Sequence, residues 1–165
     1  IFFFVLFFVF VFVVVVDDDV VFRVLYCCDG INWTSASAAE QNSWKNVNYG
    51  NGNFVAVSIN GTNRVMYSND GLNWTAASAA EQNEWYSITY GDGKFVAVYS
   101  NVTNRFQYST DGINWTAVPI SDTNWLGITY GNGKFVAVAK SGTTQVMYIS
   151  NSINRNTSSS HELQT

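Results

Sequence analysis

From residue 44 onward the chain is a succession of short apolar runs separated by short polar punctuation. Trp85-Tyr-Ser-Ile-Thr-Tyr90 alternates large side chains, the period-2 pattern of a half-buried strand. Phe95-Val-Ala-Val-Tyr99 is apolar throughout, as a strand covered on both faces would be. A third strand is expected near Arg105 to Ser109, and a short fourth one starting at Trp115-Thr116. Between the first two stands Asp92-Gly93, matched elsewhere by Asn51-Gly52 and Asn132-Gly133. These dipeptides favour a type I′ hairpin turn, whose two central residues both need φ > 0. No stretch shows sustained helical periodicity; residues 36–41 and 77–82 allow at most an isolated turn.

The strand signals recur at a step of about 41 residues, the scale of a propeller blade. Asp-Gly falls at Asp29, Asp70 and Asp111, and a second tryptophan series at Trp44, Trp85 and Trp125. Phe-Val-Ala-Val follows at Phe54, Phe95 and Phe135. Four antiparallel strands per unit predict an all-β fold, a β-propeller of about four blades or a fragment of a larger one. The units are expected near 13–34, 44–75, 85–116 and 125–155, within a repeat region of 13–155, followed by a polar tail at 156–165.

The N-terminal run IFFFVLFFVFVFVVVV is followed by Asp17-Asp18-Asp19. It has neither the basic n-region nor the small-residue cleavage site of a secretory signal. It is shorter than the roughly 20 residues of a membrane helix, and its Phe and Val content favours strands. Shifting Phe54-Val-Ala-Val57 back by one unit places it on Val13 to Val16, so the repeat reading begins at residue 13. Residues 1–12 keep no repeat signature and are read as a degenerate strand or the end of a signal or anchor; no membrane span is expected in the mature domain.

The turn motif runs Ser68-Asn-Asp70-Gly71-Leu-Asn-Trp74, with Ser109-Thr-Asp111-Gly112-Ile-Asn-Trp115 one unit on and Cys27-Cys-Asp29-Gly30-Ile-Asn-Trp33 one unit back. Aspartate at such a position accepts backbone N–H bonds across its own turn. Glycine supplies a left-handed conformation. The tryptophan buries a face of roughly 150–250 Å², which is about 4–6 kcal/mol as an upper bound. A residue repeated in every unit points to scaffold rather than catalysis. The motif resembles the Asp-box, or BNR repeat, of sialidases and related propellers, with the glycine here directly after the aspartate. The resemblance implies a propeller fold. It implies a structural role for Asp29, Gly30, Trp33, Asp70, Gly71, Trp74, Asp111, Gly112 and Trp115, and it says little about activity. The last copy has decayed to Ser150-Asn-Ser152-Ile-Asn-Arg155.

Composition narrows the function. Apolar residues make up 47% and charged residues 12%, which excludes a disordered chain. A net charge of −4 with scattered Lys and Arg argues against nucleic acid. The two adjacent cysteines, Cys27 and Cys28, and the single His161 make neither a disulfide framework nor a metal site, and no cofactor is expected. A sialidase-like centre needs an arginine cluster, a Tyr-Glu pair and an acid. Arg23, Arg64 and Arg105 share one repeat position and are candidate ligand contacts, but Gln145 breaks the series and no acid pair is marked out. Trp44, Trp85 and Trp125 are candidates for stacking on sugar rings, against a packing role between blades. Asn60 and Asn101 are the sequons best placed for a glycan. The expected function is a non-catalytic binding or adhesion module, extracellular, on a cell surface or on a virion. It would recognise a glycan or a protein through loops 58–63, 99–104 and 139–144. The alternatives are part of a sialidase-type hydrolase, or a structural array.

Overall fold

The computed structural model describes residues 10–14, 23–27, 29–99, 105–119, 124–142 and 145–150; at 10–14, 23, 24, 26, 105 and 150 the backbone alone is described. The described residues form fourteen strands and no helix. Blade 1 holds β1 (Phe10–Val14), β2 (Arg23–Cys27) and β3 (Thr34–Ser37). Blade 2 holds β4 (Trp44–Gly50), β5 (Asn53–Ser58), β6 (Val65–Ser68) and β7 (Thr75–Ala77). Blade 3 holds β8 (Trp85–Gly91), β9 (Lys94–Tyr99), β10 (Arg105–Ser109) and β11 (Thr116–Pro119). Blade 4 holds β12 (Trp125–Gly131), β13 (Lys134–Ala139) and β14 (Val146–Ser150). Each sheet is an antiparallel meander in chain order. The first strands of successive blades, β4, β8 and β12, pack side by side. Meanders stacked face to face with their first strands adjacent are the blades of a β-propeller.

Local chemistry fixes each meander. Asn51, Asp92 and Asn132 have φ of 46°, 47° and 48°, and the glycine after each also has positive φ. That pair of left-handed residues is the type I′ turn, whose twist matches the strands it joins. One extra residue interrupts the pairing between Trp44 and Asn46, between Trp85 and Ser87, and between Trp125 and Gly127. This repeated bulge changes which face the first strand presents after its tryptophan.

Blades 2 and 3 bury both faces of their second strands, β5 and β9, which are apolar at nearly every position, whereas β13 of blade 4 is covered only in part. Val55 and Val57 of β5, with Val65 of β6, pack against Trp85, Phe95, Ala97 and Tyr99 of blade 3. Val96, Val98 and Phe106 turn the other way, against Trp125 and Ala137 of blade 4. Trp44, Ala56 and Met66 form the cluster toward blade 1. The first strands are also joined by polar bonds. Ile88 N–H donates to Asn46 Oδ1 at 3.3 Å, and Tyr90 N–H to Asn48 Oδ1 at 3.1 Å. Ile128 N–H donates to Ser87 Oγ at 3.3 Å.

Two observations differ from the sequence reading. The repeat step pairs Val15 with Leu25, whereas the observed partner of Leu25 is Phe12, so β1 sits three residues earlier than the repeat requires. A run of uniformly apolar β-formers has no polar alternation to pin its register. Residues 36–41 form no helical turn; β3 takes Thr34–Ser37 into the sheet. No helix among the described residues is long and apolar enough to cross a membrane. The status of residues 1–9 and the tail 156–165 lies outside the described residues.

Candidate functional site

The blades have two ends with different chemistry. At one end lie the type I′ turns and the Asp-Gly turns. Asp70 Oδ1 accepts from Leu72 N–H and Asn73 N–H, both at 2.8 Å, while Oδ2 accepts from Asn73 Nδ2 at 2.8 Å. Ser68 Oγ donates to Asp70 Oδ1 at 2.9 Å and accepts from Gly71 N–H at 2.9 Å. Trp74 Nε1 closes the loop by donating to Gly71 O at 2.9 Å. Asp111 repeats the arrangement with Ile113, Asn114 and Ser109, and Trp115 Nε1 donates to Gly112 O at 3.1 Å. In blade 1 the serine's place is taken by Cys27, whose Sγ accepts from Gly30 N–H at 3.1 Å, while Asp29 holds Ile31 and Asn32. The Asn32 and Ile31 N–H donors hold the Asp29 carboxyl down at about 2. Asp70 is held lower still, first by the Asn73 amides and then by Leu72 and Ser68. At Asp111 partial burial pushes upward, but donors on Asn114, Ile113 and Ser109 outweigh it and the group is again strongly lowered. Each carboxylate is therefore ionised and occupied by its own turn.

These turns also fasten one blade to the one before. Asn51 Nδ2 donates to Thr110 O at 3.0 Å and Asn53 Nδ2 to Asp111 O at 3.2 Å. A Cβ at Gly112 would stand 2.5 Å from Val55 Cγ2 and 3.4 Å from Phe95 Cε2, so only glycine lets the turn lie this close. Trp115 covers the same apolar cluster.

At the opposite end, loop 58–63 is tied to the linker before Trp44. Glu40 accepts from Asn63 N–H at 3.0 Å, Asn63 Nδ2 at 2.6 Å and Asn42 Nδ2 at 3.1 Å. Burial raises the Glu40 pKa, but those donors outweigh it and the group is lowered. Arg64 donates from Nη1 to Ile59 O at 3.1 Å and from Nε to Gly61 O at 3.3 Å, so it caps its own loop. Arg23 and Arg105 begin β2 and β10 on other blades, and their side chains lie outside the described residues. Asn60 is exposed, but its amide is engaged: Oδ1 accepts from Ser43 N–H at 2.6 Å and Nδ2 donates to Ser43 Oγ at 3.2 Å. Asn101 lies outside the described residues. Trp44, Trp85 and Trp125 are 1%, 0% and 2% exposed, which corrects the stacking expectation: rings sealed between blades present no face to a sugar. No group of three or more potential metal ligands is found among the described residues.

An open cavity of about 290 Å³ lies between blades 3 and 4. Val96, Phe106, Tyr108 and Val118 form one wall, Tyr130, Phe135 and Ile149 the other, with Asp92 and Lys94 at its mouth. Lys94 Nζ lies 3.5 Å from Asp92 Oδ2, an exposed pair. Sequence reasoning missed this site. Its signal was Ile149, which stands opposite Phe135 where Ser68 stands opposite Phe54 and Ser109 opposite Phe95.

Fold and site together define an array of β-propeller blades fastened by Asp-Gly turns. No protein-family model and no curated sequence matches the chain. Among solved structures it is similar to YCF48 bound to D1 peptide, with a TM-score of 0.49 and 17% identity over 59% of this chain. The likeness spans 34% of that protein's length.

Proposed function

We propose that the chain is a non-catalytic binding module that recognises a glycan or protein ligand through blade-connecting loops. The display site is extracellular, on a cell surface or on a virion. The observation that carries this reading is the hydrogen-bonded staple at loop 58–63. Glu40, Asn42 and Asn63 hold that loop rigid on the blade. The loop sequences Ile-Asn-Gly-Thr-Asn, Ser-Asn-Val-Thr-Asn and Lys-Ser-Gly-Thr-Thr meanwhile diverge between units whose strands are nearly identical. Variable loops on a fixed scaffold are where recognition is usually carried. The low charge and Ser, Thr and Asn content support the setting outside the cell.

The test combines a glycan array, a displayed-peptide library and a sialidase and general glycosidase assay. Saturable binding without turnover, abolished when residues 59–63 are replaced by the blade-4 loop sequence, supports the module. Turnover by the chain would overturn it in favour of a hydrolase.

A further inference from the structure

The cavity between blades 3 and 4 occupies the position that a turn fills one blade earlier. Between blades 2 and 3, residues 111–115 lie in the corresponding space, with Gly112 against Val55 and Phe95 and Trp115 on the shared apolar cluster. The corresponding walls between blades 3 and 4 are Val96 and Phe135, and both line the cavity. The chain's own next segment lacks the groups that make the earlier turn fit. By register Ile149 replaces the serine that holds the turn glycine's N–H. Continuing along the sequence, the repeat's glycine position is taken by Ser152 and its tryptophan position by Arg155. Among the described residues Trp125 is the one tryptophan of the cluster between blades 3 and 4, whereas the turn tryptophans Trp115 and Trp74 add to Trp85 and Trp44 in the other two.

We propose that this cavity is a docking site for a tight turn of another polypeptide, one carrying Asp-Gly with a tryptophan three residues after the glycine. The glycine would lie on Val96 and the indole between Phe106, Tyr108, Val118 and Phe135. Lys94 stands where Asn53 stands in blade 2, and its ammonium donates to a turn carbonyl as Asn53 Nδ2 does to Asp111 O. Apolar walls with a few placed polar groups are the usual make-up of a specific pocket. The site opens at the end of the blades opposite loop 58–63, so it stands or falls separately from loop recognition.

The probe is the nonapeptide Tyr-Ser-Thr-Asp-Gly-Ile-Asn-Trp-Thr, blocked at both ends, titrated into the full chain by calorimetry with NMR mapping. The expected result is saturable one-to-one binding with shifts at Tyr108, Tyr130 and Phe135. Replacing the peptide's Trp or Gly by Ala should weaken it by roughly tenfold or more, the cost of about 1.4 kcal/mol. In the protein, V118W fills the cavity and K94E reverses the charge at its mouth; both should weaken binding, and K94E does so without touching the core. Absence of saturable binding, or binding indifferent to both variants, overturns the proposal. So does a tenfold gain on deleting residues 151–165, which would assign the seat to the chain's own C-terminal segment. So does self-association abolished by V118W, which would assign it to a second copy through other contacts.

Discussion

Gly112→Ala tests the fastening of blade to blade most sharply, because the structure separates two costs at that position. Gly112 has φ of 77°, so any side chain there meets left-handed strain, roughly 1–2 kcal/mol. The new methyl would also stand 2.5 Å from Val55 Cγ2, across the boundary with blade 2. Forcing atoms into a packed contact costs about 1–3 kcal/mol more. Gly52→Ala is the matched control: its φ is 80°, and a Cβ there meets nothing within 4 Å. Both variants carry the strain, and only Gly112→Ala carries the clash. Urea unfolding followed by tryptophan fluorescence should therefore place Gly112→Ala about 1–3 kcal/mol below Gly52→Ala, a midpoint difference on the order of 1 M. Equal losses would refute the close approach of the Asp-Gly turn to the preceding blade. A further substitution, Val55→Ala in the Gly112→Ala background, should recover part of the loss by removing the methyl that clashes.

Glu40→Gln keeps the shape of the side chain but loses the charge that Asn63 and Asn42 donate to; stability should fall by about 1 kcal/mol, with faster amide exchange across residues 59–63. Ser109→Ala strips the acceptor from the buried Gly112 N–H and should destabilise by about 1–3 kcal/mol in chemical denaturation, whereas Ser78→Ala, an exposed hydroxyl, should not. Asp29, Asp70 and Asp111 are all lowered in the folded chain relative to an unfolded aspartate. Their contribution is therefore complete above the unfolded value of about 4 and is lost as pH falls toward and below 2. Carboxyl NMR titration should find Asp29 near 2, with Asp70 and Asp111 lower; ordinary midpoints would remove the turn hydrogen bonds from the account.

Much of this architecture is legible in the sequence because its signals are local. Asn51-Gly52 and its siblings name their own turn, and Phe-Val-Ala-Val names a strand buried on both faces. What the sequence hides is contact between units. Asn46 and Asn48 read as polar positions on a strand, and only packing reveals that they accept N–H bonds from the next blade. Gly50 and Gly91 read as part of a turn motif, yet each is a seat for the following blade's tyrosine ring. The tryptophans could be read as packing or as ligand contacts until their burial decided it. The repeat step sets the N-terminal register three residues off the observed one, since sixteen consecutive apolar residues offer no alternation to count. The groove at blades 3 and 4 was visible only as a loss, Ile149 and Arg155 where serine and tryptophan belong in the repeat.

The central claim is that the repeats stack as blades, with blades 3 and 4 each laying a tyrosine ring on a glycine of the blade before. A Cβ at Gly50 would fall within the Tyr90 ring, and one at Gly91 within the Tyr130 ring, while nothing lies within 4 Å at Gly131. The α-proton shifts of these three glycines, assigned by NMR, test that stacking directly. The account requires upfield ring-current displacement at Gly50 and Gly91, lost in Tyr90→Leu and Tyr130→Leu respectively, and an ordinary shift at Gly131. Ordinary shifts at all three, or displacements insensitive to the tyrosine substitutions, would contradict the blade stacking from which every other conclusion follows.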